Sequence, residues 1–275
     1  LAEVHTSQSR VRIATAARTT VTGTTARRLG VVEVGPGHHA HELAVEVAAG
    51  APVVVDKTVA ITTSRDKAMA SPALGALDQL ADASAGFAGL LGPHEAAWRR
   101  LWDHFRIHID ADRDAQLVLN LHVFHLLAAV SPHTADLDAG VVARGLHGEG
   151  YRGHVFWDEL FVLPVVGAHL PALTRALLDY RWHRLDAARR AARAAGLAGA
   201  AFPWQSGSDG REETPTALFN LRSGRWMADN SRLQRHVGLA VAYNAWRHFR
   251  RPMTPCGWPS GARSCSSRWR ACSCP

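Results

Sequence analysis

The apolar residues of this chain change their spacing once, and that change limits what it can fold into. Up to residue 65 they alternate with polar neighbours: Val11 and Ile13, then Leu43, Val45 and Val47, then Val53, Val55, Val59 and Ile61. Alternation is the mark of half-buried strands. After Pro93 they recur at intervals of three and four, as in Trp98, Leu101, Trp102 and Phe105, which lines up one aromatic helix face suited to packing. The chain therefore reads as mainly α, with its strands confined to the beginning.

Residues 42 to 48 and 52 to 62 flank the turn Ala49-Gly50-Ala51-Pro52 and read as an antiparallel hairpin. Two or three hairpins leave open edges and do not make an independent sandwich. Residues 1–65 are thus expected to be the closing strands of a β domain that supports rather than catalyses. Residues 66–92, rich in Ala, Gly, Ser and Asp and containing Pro72, read as a linker.

Gln116 to Leu127 is apolar nearly all round, which predicts a helix buried on most sides and ending before Ser131-Pro132. His122 and His125 lie one turn apart within it. With no acidic third ligand nearby they read as core histidines, and no metal site is expected. Val162 to Ala168 predicts a further apolar helix. Residues 171 to 195 open with Pro171 and place Leu173, Leu177, Leu178 and Leu185 on one side, with six arginines on the others. This predicts one amphipathic outer helix with solvated arginines, stopped by Gly196 and Gly199. A last helix, capped by Asn230 or Ser231, is expected to carry Leu233, Val237, Val241 and Tyr243 to Trp246.

The net charge of +7 over 275 residues would suggest an anionic partner, but five of those charges sit in residues 250–275. That tail has no lysine and no acid, and it holds all four cysteines. The spacing of Cys256, Cys265, Cys272 and Cys274 fits no zinc site. Trp258 and Trp269 form no pattern with the arginines, as a nucleic-acid arm requires. A diet of Arg, Ser, Cys, Pro, Gly and Trp is what GC-rich codons encode when shifted, so residues 250–275 are expected to be an out-of-frame, disordered tail. There is no run of eighteen apolar residues and no basic-then-apolar leader, which predicts a cytoplasmic protein with no membrane and no nucleic-acid partner. A Gly-rich phosphate loop, a G-x-S-x-G elbow and an H-E-x-x-H pair are all missing, so nucleotide and zinc-protease chemistry is not expected.

The densest polar chemistry is Arg144-Gly145-Leu146-His147-Gly148-Glu149-Gly150-Tyr151-Arg152-Gly153-His154-Val155-Phe156-Trp157-Asp158-Glu159-Leu160-Phe161. A second concentration is the long polar loop from Phe202 to Thr214, and loops of this length in a compact domain commonly carry function. A hexose offers hydroxyls to carboxylates and amides, and a polarised C–H face to an indole. Trp157 with Asp158, and Trp204 with Gln205, are the aromatic-plus-polar pairs that this chemistry wants, with Asp158 accepting hydroxyl protons in charge-assisted hydrogen bonds. Packing with a helix cap is the competing reading of the same pairs.

The Arg144 to Phe161 string resembles the central catalytic domain of glycoside hydrolase family 65. So do Phe202-Pro203-Trp204-Gln205-Ser206, Asp209 to Thr214, Asn220 to Trp226 and Asp229 to His236, in that order. Thr6 to Ala14 and Thr63 to Asp66 resemble the end of the family's N-terminal β-sandwich, and the likeness covers about residues 1 to 249. The family includes maltose, trehalose and kojibiose phosphorylases and a phosphate-dependent trehalase.

The resemblance implies a partial (α/α)6 toroid preceded by the last strands of a β-sandwich. Residues 1–65 would close the sandwich, 66–92 link, and 93–249 form the N-terminal half of the toroid. It implies an inverting enzyme that cleaves an α-linked glucose from a disaccharide, with inorganic phosphate or water attacking the opposite face of the anomeric carbon. Disaccharide and phosphate would be the partners, no cofactor would be needed, and a homodimer is what the family's habit implies for the full-length protein. Trp157 and Asp158 would contact the cleaved glucose, with Trp204 and Gln205 lining the pocket.

Two departures bear on catalysis. The phosphorylases read Phe-Trp-Asp-Thr-Glu where this chain reads Phe156-Trp157-Asp158-Glu159, which undercuts Glu159 as their equivalent acid. The family's general acid lies in a Pro-Asp-Glu-Tyr-like motif that these residues do not contain, so no catalytic residue is assigned here and the chain alone is expected to be inactive. A non-catalytic carbohydrate-binding remnant and a helical interaction scaffold are the alternative functions.

Overall fold

The computed structural model describes residues 1–24, 26–35, 37–144 and 151–250. Residues 145–150 of the polar stretch and the expected out-of-frame tail beyond Arg250 lie outside the described residues. The chain divides into two compact units, Leu1–Asp103 and His104 onward.

The first unit opens with β1 Ala2–His5, β2 Arg12–Thr22, β3 Ala26–Gly35, β4 His38–Val45 and β5 Val54–Thr63. β2 is the central strand of an antiparallel sheet of order β1-β2-β5, and its pairing with β5 runs from Ile13 opposite Thr63 to Thr22 opposite Val54. β3 and β4 form a separate hairpin that turns at Gly37, whose φ of 72° is left-handed. The expected hairpin between 42–48 and 52–62 does not form. Alternation identifies a strand but not its partner, and here long antiparallel pairings take β4 to β3 and β5 to β2.

The stretch read as a linker contains α1 Pro72–Asp82 and the start of α2 Gly86–Phe105. The Ser71 hydroxyl caps α1, accepting the Leu74 N–H at 3.4 Å, and Pro72 takes the first turn. α1 packs on the sheet through small residues, with Ala76 and Leu80 buried against Ala14 and Ala16 of β2. Alanine gives little hydrophobic contrast, which is why the helical period there reads as weak. α2 starts before Pro93 rather than after it, because the Asp56 carboxylate of β5 accepts the Phe87 N–H at 2.8 Å and satisfies a donor at the helix start.

The second unit is mainly helical. It comprises α3 Arg113–Ala129, β6 Val155–Phe156, α4 Glu159–His169, α5 Pro171–His183, α6 Leu185–Ala194, β7 Gln205–Ser206, β8 Ala217–Asn220, β9 Arg225–Ala228 and α7 His236–Arg250. Its core joins Leu160, Leu163 and Val166 of α4, Leu173, Leu177 and Leu178 of α5, and Val237 and Val241 of α7. Pro164 lies inside α4 and has no N–H for the carbonyl of Leu160, four residues earlier. The buried Asn244 amide of α7 donates to that carbonyl at 3.1 Å.

Three helical expectations are corrected. Residues 171–195 are two helices that break at Arg184, and two of their arginines are not solvated: Arg181 and Arg184 are 2% and 7% exposed. They continue the apolar stripe of Leu173 and Leu177 at helical spacing, and Arg181 meets the buried Glu159 while Arg184 meets the partly exposed Asp138. α7 begins at His236 after a short 3-10 turn at Ser231–Leu233, and Asn230 makes no side-chain cap. In α3, capped by Asp112, only Leu127 is buried, while Leu117, Val118, Leu121 and Phe124 are 41% to 63% exposed. His122 is exposed and His125 half-buried, so neither is a core histidine. By length and composition Arg113–Thr134 could cross a membrane, but Asn120, His122 and His125 at its middle are disfavoured in hydrocarbon.

Candidate functional site

Two motifs far apart in sequence meet at one short ladder. β6 pairs with β7 in antiparallel register, Val155 opposite Ser206 and Phe156 opposite Gln205. One step beyond that ladder lie Trp157 and Trp204, and their indoles stack with centroids 6.2 Å apart and planes 17° apart. The edges of Phe161 and His236 meet Trp157 at 5.6 and 5.1 Å, and Phe156 leans on Trp204 at 4.5 Å. Both tryptophans are half-buried, and the Trp204 indole N–H is buried without a partner among the described residues.

Asp158 stands at the N-terminus of α4, half-buried, with helical backbone angles and no side-chain cap bond. Burial pushes its carboxyl above the usual aspartate range. The N–H groups of Asp158 and Glu159 pull the other way, close enough to stabilise charge though not aligned as hydrogen bonds. No side chain among the described residues bonds to this carboxylate, which leaves it available to hydroxyl donors.

Gln205 is placed differently from its neighbour Trp204. Its side chain is buried, with Nε2 2.7 Å from Nδ1 of His154 and donating to the Tyr151 carbonyl at 3.5 Å. It supports the 151–154 turn from behind. Glu212 closes the polar loop: its carboxylate accepts the N–H groups of Trp204 at 2.7 Å and Gln205 at 3.1 Å, and both the N–H and the hydroxyl of Thr214.

α5 and the break after it back the ladder with polar groups, among them two of the arginines expected to be solvated. The Tyr180 hydroxyl bonds to Ser206 Oγ at 2.8 Å and to the Gly207 carbonyl at 2.5 Å. Arg184 holds Asp138 through both oxygens at 2.9 Å, donates to the carbonyls of Ser208 and Tyr180, and stacks 3.8 Å from the Tyr180 ring. Burial alone would raise the Asp138 pKa, but Arg184 and His183 outweigh it and hold that carboxyl below its usual range. Glu159 is fully buried against Arg181 at 3.2 Å and accepts the Val141 N–H at 2.8 Å. Burial pushes its carboxyl upward and Arg181 opposes the shift. The signal available in sequence was the stripe of Leu173, Leu177, Arg181 and Arg184, which puts Arg181 on the buried face of α5 and Arg184 in line with it at the helix end.

The N-terminal domain of glycosyl hydrolase family 65 matches residues 1–101, and the central catalytic domain of the same family matches residues 120–252. The chain belongs to glycosyl hydrolase family 65. As a family 65 chain it shares 47% identity over 251 residues with an uncharacterized glycosyl hydrolase of Mycobacterium tuberculosis H37Rv, covering 90% of this chain and 19% of that protein. It is 47% identical over 152 residues to trehalose 6-phosphate phosphorylase of Lactococcus lactis, covering 54% of this chain and 20% of the enzyme. With kojibiose phosphorylase of Caldanaerobacter subterraneus the identity is 40% over 203 residues, covering 72% and 26%. The chain thus spans between a fifth and about a quarter of the length of these relatives.

Among solved structures, one described as "Putative kojibiose phosphorylase from human microbiome" superposes with a TM-score of 0.67 at 20% identity, covering 90% of this chain and 31% of that one, and the two share a fold. The family match spans the ladder, both tryptophans and Asp158, and it spans the buried arginines of α5 as well.

Proposed function

We propose that this family 65 chain carries the glucose-gripping part of an inverting active site that cleaves an α-glucosidic disaccharide of the trehalose, maltose or kojibiose type. The observation that carries the reading is the stacked Trp157–Trp204 pair beside a half-buried Asp158 that has no side-chain partner among the described residues. Trp157 walls the sugar ring with its indole, and Asp158 accepts two hydroxyl protons. Trp204 backs Trp157, and Gln205 acts from behind by holding the 151–154 turn. The ring of helices to which α3, α4, α5 and α7 would belong is a partial (α/α)6 toroid.

Chemistry at the anomeric carbon needs a proton donor for the leaving oxygen and a nucleophile on the opposite face. Glu159 is ill suited to donate: it is sealed in the core, and its two oxygens are occupied by Arg181 and the Val141 N–H. This supports a general acid outside these residues, and an isolated chain that binds sugar without turning it over. Inorganic phosphate is the favoured nucleophile and co-substrate, since it needs no second carboxylate as base. Similarity to phosphorylases and to the kojibiose hydrolase of Mucilaginibacter mallensis leaves water as the other nucleophile of the same geometry.

Titration calorimetry of the chain with glucose, trehalose, maltose and kojibiose tests the reading. Binding is expected in the wild type and is expected to be lost in Asp158→Ala and Trp157→Ala, with no glucose 1-phosphate formed from any disaccharide plus phosphate. Sugar binding unchanged by both substitutions would sink it.

A further inference from the structure

We propose that Arg181 is a positioning residue for Trp157 and Asp158, acting through the two residues that bracket them; the inference rests on the sugar-binding reading above. One guanidinium nitrogen, Nη2, donates to the Phe156 carbonyl at 3.3 Å and to Glu159 Oε2 at 3.2 Å. The pair Trp157-Asp158 is thereby suspended between two anchor points on the same cation. The second oxygen of Glu159 accepts the Val141 N–H at 2.8 Å, which ties the clamp to the strand-like segment beside β6.

The surroundings are shaped to admit this clamp. A Cβ at Gly140 would lie 2.6 Å from Glu159 Oε1 and 2.5 Å from a Val155 methyl, so only a glycine leaves room for the carboxylate. The side chains of Arg181 and Glu159 are 2% and 1% exposed. Arg181 Nε is buried without a partner among the described residues. Ion pairs of this kind are often no more stabilising than apolar residues of the same volume, because desolvation offsets the attraction. The incompletely satisfied Arg181 is therefore poorly explained by stability. It is well explained by geometry, since it sets the backbone on both sides of the indole that stacks on Trp204 and fixes where α4 begins beneath Asp158.

The test separates position from stability. The double variant Arg181→Met, Glu159→Gln removes both charges and the Phe156 tether while leaving an acceptor for Val141. It is expected to stay folded and to melt cooperatively, at a temperature lowered by the buried carbonyl and amide that it leaves unpaired. Its glucose affinity is expected to fall by about tenfold, which corresponds to about 1.4 kcal/mol of binding free energy. Its exciton-coupled circular-dichroism signal from the stacked tryptophans is expected to weaken as well. Wild-type affinity and a wild-type couplet in that variant would overturn the proposal. If the double variant does not fold, Arg181→Lys decides: it keeps a charge opposite Glu159 without the planar fork, and unchanged affinity and couplet there would equally overturn the clamp. If the wild-type chain binds no sugar, the sugar reading fails separately, and the couplet alone judges the positioning of Trp157.

Discussion

In the proposed site Asp158 accepts hydroxyl protons in charge-assisted bonds, which it can do only as a carboxylate, yet its half-buried place at the head of α4 shifts it toward the protonated form. Burial raises its pKa, and the N–H groups of Asp158 and Glu159 offset the rise only in part. The sign follows directly. Sugar affinity should be full when Asp158 is ionised and should be lost as the pH falls through its elevated folded pKa. That loss begins at a higher pH than the ordinary value of 3.8 would give. Stability moves the opposite way, because a raised pKa means that the folded state holds the proton more tightly and gains as the pH falls through the same window. Calorimetric titration with glucose between neutral and acid pH is expected to show this decline, and Asp158→Asn should bind weakly and without the slope. A slope that survives in Asp158→Asn would assign the titration to another group. Trp157, Asp158 and Trp204 stood out as candidates because each sits in a contiguous aromatic-plus-polar string, but that the two tryptophans stack beside one ladder is a long-range pairing that neither string encodes. Gln205 looked identical in kind, but its burial depends on His154, 51 residues away, which no local pattern encodes.

At the scale of elements, β2, β4, β5, α3, α4 and α7 were legible from period, whereas α1 in the alanine-rich stretch and the break between α5 and α6 were not, and neither were the partners of the strands. The alternating residues of β4 and β5 gave both strands, but pairing is a choice among all available edges, and the intervening turn suggested the wrong one. α5 shows the converse. Its period placed Arg181 on the buried face and Arg184 in line with it at the helix end, and only the chemical expectation that arginine prefers water pointed the other way. The pairing of α4 with α7 was illegible for a third reason, because it depends on a missing donor. Pro164 cannot serve the Leu160 carbonyl, and Asn244 of α7 supplies the bond. Asn244→Ala is therefore expected to lower stability by about 1 to 3 kcal/mol, since it leaves a buried acceptor unsatisfied. Thermal melting measures this, and the double variant Pro164→Ala, Asn244→Ala should recover part of the loss by restoring the helical N–H. An Asn244→Ala protein as stable as wild type would show that the carbonyl finds another donor.

For the whole molecule, the informative surface is α3. Its sequence reads as a helix buried on most sides, yet Leu117, Val118 and Leu121 stand 49% to 63% exposed. A helix patterned for burial and left exposed among the described residues has a packing demand that is not met there, and the chain spans only about a fifth to a quarter of its curated relatives. The sequence therefore encodes packing demands that these residues do not meet among themselves, and burial was misread because the pattern carries the demand and not its fulfilment. Contiguous apolar surface of this sort drives association in water. The isolated chain is expected to self-associate through α3, seen as concentration-dependent growth in light scattering. Leu117→Glu with Leu121→Lys should suppress that growth while shifting the folding free energy by no more than about 0.5 kcal/mol, as substitutions at exposed positions do. A large fall in melting temperature would instead mean that α3 is packed within the chain, and scattering unchanged by both substitutions would move the association to another face.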